Sequence, residues 1–161
     1  MSQSVPPPGN PFAEGAAPAP APVPTAPARG NLALGVVVAL VAALVAAGVY
    51  GGIAGSIERE IGWAAIGVGF LTGFAASKVG GRGPVLPVVS AVFSLGAVYL
   101  GQILALAIIA AEELNVSTTE MLFENFSLLT EAWNVGKEFM TFVFFALAAV
   151  AAFGGAKKGA E

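Results

Sequence analysis

Gly67, Gly69 and Gly73, in the stretch GWAAIGVGFLTG, come nearest in spacing to a known chemistry. Glycines after a strand cradle a dinucleotide pyrophosphate when they fall as G-x-G-x-x-G, with an acid further on for the ribose. Here the third glycine comes one residue late, no β-branched strand precedes it, and no Asp occurs anywhere. The phosphate reading fails. On a helix, by contrast, Gly62, Ala65, Gly69, Gly73 and Ala76 share one face, while Trp63, Ile66, Phe70 and Phe74 form a separate bulky stripe. Small residues let two helix backbones touch in lipid, where no hydrophobic drive brings helices together. The preceding segment repeats the device, with Gly48 four residues before Gly52 and Gly51 four before Gly55. These faces predict close packing within the chain, the first two spans forming an antiparallel hairpin, or else a contact between copies in a homo-oligomer.

Other chemistry is sparse. There is no Cys and no His, so thiolate sites, the commonest metal ligand and the commonest neutral-pH base are absent from the chain. Every acid is Glu. Glu120, Glu124 and Glu131 share a helical face with Ser127, but carboxylates without an acidic loop of defined spacing do not specify Ca²⁺. Their reading is a solvated face, and Glu58, Arg59 and Glu60 read as an interfacial charge cluster. Gln102 is the most costly polar group inside an apolar run; it either bonds a neighbouring helix or lines a pore. Nucleophile, base and oxyanion donors occur nowhere together, so the expectation is a protein without enzymatic activity, cofactor or metal. A net charge of -3 argues against nucleic acid as a partner.

The elements that must position these groups are set by where charge is missing. Uncharged runs of 28, 17, 29 and 18 residues lie between Arg29 and Glu58, Glu60 and Lys78, Arg82 and Glu112, and Glu138 and Lys157. A helix crossing a bilayer core needs ~20 apolar residues. Only 11% of the chain is charged and 57% is hydrophobic, too little polar surface to cover four buried helices in water. The predicted fold class is therefore all-α: an integral membrane four-helix bundle, with spans at about 32–54, 61–77, 85–111 and 139–156 in a domain over 31–157. The lipid bilayer is its first partner. Trp63 and Trp133 are the predicted interfacial anchors.

Between the third and fourth spans, Ser117 and Glu120 form a capping-box pattern, and Leu122, Phe126, Leu129 and Trp133 oppose the acids. The spacing predicts one amphipathic helix over about 118–133, flat on the extracytoplasmic surface with Trp133 at headgroup level. Residues 1–30 hold nine of the eleven prolines and read as a disordered cytoplasmic tail, either a spacer or a ligand for a protein partner. Arg29, Lys78, Arg82, Lys157 and Lys158 fall on one side of a four-span topology, and Arg59 and Lys137 on the other. This imbalance places both termini, including the short segment 158–161, in the cytoplasm, with the chain in the cytoplasmic membrane.

Glu60-Ile61-Gly62-Trp63-Ala64-Ala65, then Gly67-Val68-Gly69-Phe70-Leu71-Thr72-Gly73 and Gly80-Gly81-Arg82-Gly83, resembles a group of small, uncharacterised bacterial multi-pass membrane proteins. They share an EIGW-A-x-x-G-x-G-x-x-x-G helix, and the likeness covers about residues 35 to 105. It implies membrane residence and no particular activity. Some relatives carry a Cys-rich zinc-binding module before the membrane part; this chain has a Pro-rich tail there and no Cys, so metal binding does not carry over. Two function classes stay open. One is an accessory or scaffold protein acting through its tail or acidic helix; the other is a small channel or transporter subunit for a neutral solute.

Overall fold

The computed structural model describes residues 30–59 and 61–161. The tail expected to be disordered, with its Arg29, and the Glu60 member of the charge cluster lie outside the described residues. Six helices follow in order: α1 Leu32–Ser56, α2 Ala64–Gly80, α3 Val85–Leu114, α4 Thr118–Glu124, α5 Phe126–Gly136 and α6 Phe139–Gly159. The described chain is all-helical, and α1, α3 and α6 are long and apolar enough to cross a membrane, whereas α2 is shorter.

Residue size decides what is buried. The inner face of α1 is Ala39, Ala43, Ala47, Gly51 and Ala54, while Val37, Val41, Leu44, Val45 and Ile53 are exposed. On α6, Ala148, Ala152, Gly155 and Ala156 turn inward, and Phe142, Val150 and Phe153 outward. Water would demand the reverse, since large aliphatic and aromatic groups gain most from burial. In lipid, outward Leu and Val lose nothing, and inward Ala and Gly let the backbones close.

α2 and α3 each pack against α1, α6 and one another. The start of α1 meets the end of α2: a Cβ added at Gly35 would lie 2.7 Å from Gly80 Cα. Gly81, at φ 81, makes the turn into α3 in a left-handed conformation that glycine adopts without strain.

The helix ends depart from expectation for local reasons. α1 closes in a Schellman pattern, in which the Arg59 amide donates to the Ala54 carbonyl (3.1 Å) and the Glu58 amide to that of Gly55 (3.2 Å). α2 starts at Ala64 and ends at Gly80, three residues later at each end than the predicted span. Ile61–Trp63 is a tight turn whose carbonyls accept from amides three residues on, and Lys78 does not stop the helix. α3 runs past Glu112 and Glu113 to Asn115, whose left-handed backbone (φ 56) ends it.

The single amphipathic helix predicted over 118–133 is two. Ser117 caps α4 by accepting the Glu120 amide at 3.1 Å, but Asn125 leaves the helical region (φ -117, ψ 25) and separates α4 from α5. The buried face of this pair is corrected as well. Met121 and Leu129 pack on Ile103, Ala107 and Ala111 of α3. The long third helix thus supplies the apolar surface that the prediction gave to lipid.

Candidate functional site

The small-residue faces meet partners that spacing alone did not assign. Gly69 and Gly73 lie against the Ala148 and Ala152 carbonyls of α6, where a Cβ would overlap backbone oxygen, and Gly62 lies against the Phe144 ring. α6 answers with its own glycines, Gly155 against the Phe70 carbonyl and Gly159 against that of Phe74. The α2 glycine face is thus filled by α6, not by α1 as in the predicted hairpin. Gly48 and Gly52 do not pack: a Cβ at either meets nothing within 4 Å. Their neighbours Gly51 and Gly55 take that role, against Leu104 and Ile108 of α3. A four-residue spacing recurs on every face of a helix, so it cannot say which face is covered.

Gln102 is buried on α3 and accepts a hydrogen bond from Trp133 Nε1 at 2.8 Å. The bond to another helix, one of the two readings open for it, is present, and Gln102 also lines a cavity. The Trp133 ring packs edge-on to Tyr99 (centroids 5.0 Å apart) and Phe145 (6.4 Å). Trp63, at the start of α2, is 72% exposed.

Beside this bond is a half-open cavity of about 150 Å³ between α1, α3, α5 and the start of α6. Its inner wall holds Tyr50, Gln102, Trp133 and Thr141, its flank Ala105, Leu106 and Ile109, and its rim Glu58, Arg59 and Lys137. Each rim group is held by a helix end. Glu58 and Arg59 follow the α1 Schellman turn, with Glu58 at φ 50, a conformation usually left to glycine. Lys137 ends α5, donates from Nζ to Asn134 Oδ1 (2.7 Å) and lies 5.3 Å from the Trp133 ring centroid. Glu138 is engaged elsewhere, in a capping box where its side chain accepts from the α6 backbone and Thr141 Oγ1 accepts the Glu138 amide (3.2 Å).

Such a site offers hydrogen bonds and fixed charges of both signs around an apolar wall, which suits binding and orientation. Sequence reasoning did not bring Tyr50, Thr141, Arg59 and Lys137 together. One signal was available: Arg59 and Lys137 are the two cations of the predicted extracytoplasmic side, each at a junction between spans. Glu120, Glu124 and Glu131 stay exposed, the first two on α4 and the last on α5.

The chain matches no protein-family model, no curated protein and no solved structure.

Proposed function

We propose that this is a non-catalytic multi-pass protein of the bacterial cytoplasmic membrane, an accessory or scaffold protein whose four helices α1, α2, α3 and α6 all span the bilayer. The observation that carries the reading is the inverted size pattern, with Ala and Gly inside and Leu, Val and Phe outside. α2 is the fourth span on this reading. Its 17 residues reach about 25 Å at 1.5 Å each, near the ~30 Å of a hydrocarbon core. The likeness of the EIGW segment before it to small multi-pass proteins enters on the motif alone. Lys78, Arg82, Lys157 and Lys158 then share an end with the start of α1, which supports cytoplasmic termini.

The accessory role rests on close packing. Glycine-to-carbonyl contacts join α2 to α6, and Trp133 occupies Gln102, which favours an anchor over a conduit. The Pro-rich segment before α1 is the proposed docking ligand for a protein partner. Pull-downs from mild detergent, with and without residues 1–29, test this: the partner should be lost with the tail, and identical profiles would remove the tail from the account. The half-open cavity reaching Gln102 favours one second reading, a transporter subunit for a neutral solute. Solute flux in proteoliposomes decides between them, since an anchor gives none.

A further inference from the structure

We propose that the cavity beside Gln102 is a headgroup site for a zwitterionic phospholipid bearing a primary amine. The inference rests on the membrane reading above. Among the described residues, the rim carries two cations and one carboxylate, Arg59, Lys137 and Glu58. A phosphodiester with a tethered ammonium supplies the complement of all three. An anionic headgroup would leave Glu58 opposed, and a lone amine would leave both cations unused. Two further carboxylates adjoin the rim in sequence: Glu138, next to Lys137, is committed to the N-terminus of α6, and Glu60, next to Arg59, lies outside the described residues.

Size and placement agree with this occupant. A cavity of about 150 Å³ is of the order that holds a benzene ring, so the aminoethyl end of a headgroup enters while the phosphate lies at the rim and the glycerol and acyl chains leave through the open side. Ala105, Leu106 and Ile109 form the apolar flank along which the first methylenes run. The rim lies where α1 ends and α6 begins, the level at which a span meets lipid phosphates. Glu58 holds its place on a left-handed backbone that a charged residue rarely adopts, and such strain collects at binding sites.

The test uses the full chain in vesicles with Trp63→Phe, so that Trp133 is the sole tryptophan, and lipids brominated at one chain position. Brominated phosphatidylethanolamine should quench Trp133 at least threefold more steeply, per mole fraction, than brominated phosphatidylcholine or phosphatidylglycerol. Arg59→Gln with Lys137→Gln should abolish that preference. Glu58→Gln should erase the advantage over phosphatidylglycerol while helix content by circular dichroism stays at the parent's value. Equal quenching by the three lipids, or a preference that survives the double variant, overturns the proposal. Steeper quenching by phosphatidylglycerol overturns it in favour of an anion site. Flotation with vesicles separates the two failures: a chain that does not float ends the membrane reading, and one that floats without selectivity ends only the headgroup site.

Discussion

Glu58 occupies the C′ position of a Schellman turn, where glycine takes φ > 0 without strain and a residue with a Cβ does not. Glu58→Gly is therefore expected to stabilise the fold by about 1 kcal/mol, read by denaturant titration in micelles, while removing a rim charge. Ser90 gives the opposite lesson about polar groups. Its hydroxyl is fully buried with no hydrogen-bond partner, whereas Ser94 and Thr72 bond back to the carbonyls of Ala91 and Val68. Ser90→Ala should be neutral or stabilising in the same titration, because no bond is lost and an uncompensated desolvation is removed. Trp133→Phe should cost roughly 1 kcal/mol, since Gln102 Oε1 loses its indole donor. At the far end, Lys158 donates to Glu161 at 2.6 Å and holds that carboxyl below its ordinary pKa. A depressed carboxyl contributes stability that is complete above its unfolded-state value and fades as pH falls through the lowered one. Lys158→Ala should move the Glu161 titration, followed by carbon NMR, upward toward that ordinary value.

Among elements, the α2–α6 pair rests on glycines set against backbone carbonyls, and the test is a contrast between glycines of equal spacing. Gly73→Ala should destabilise by about 1–3 kcal/mol, because the new methyl meets the Ala152 carbonyl and must push α6 away. Gly48→Ala and Gly52→Ala, with nothing near the added carbon, should be neutral or gain up to about 1 kcal/mol from helix propensity. Thermal unfolding of the three variants in one detergent reads the contrast. The periodicity of α2 showed a small face; nothing in it showed that the cover would be α6, whose Ala148 and Ala152 meet Gly69 and Gly73 across a long stretch of sequence. The α4–α5 break is comparable. Asn125 offered a side chain that competes for backbone bonds, but only docking of Met121 and Leu129 on the overlong α3 decided where the amphipathic face would turn.

For the molecule as a whole, the expectation is a chain with two charged ends and an apolar waist. Reporters fused after Lys78 and within Thr118 to Glu131 should report opposite sides of the membrane in cells. Agreement of the two reporters would break the four-span proposal, because α3, the helix between them, would then not cross. Both ends hold their cations at helix termini, where a long side chain reaches water while its stem stays against apolar neighbours. At the last turn of α2, Lys78 Nζ lies 6.0 Å from the Phe74 ring centroid.

By itself, the sequence determined that the chain is helical and suited to lipid. The spacing of charges and the excess of Ala, Gly, Val and Leu are local quantities, and burying an ion in hydrocarbon costs enough to make their placement legible without a fold. Tertiary structure decided which small faces are used and how Gln102 is satisfied. It also decided that Tyr50, Arg59, Trp133 and Lys137 border one cavity. These outcomes depend on which helices become neighbours, and in lipid that choice follows from shape matched between distant segments, which no local pattern encodes.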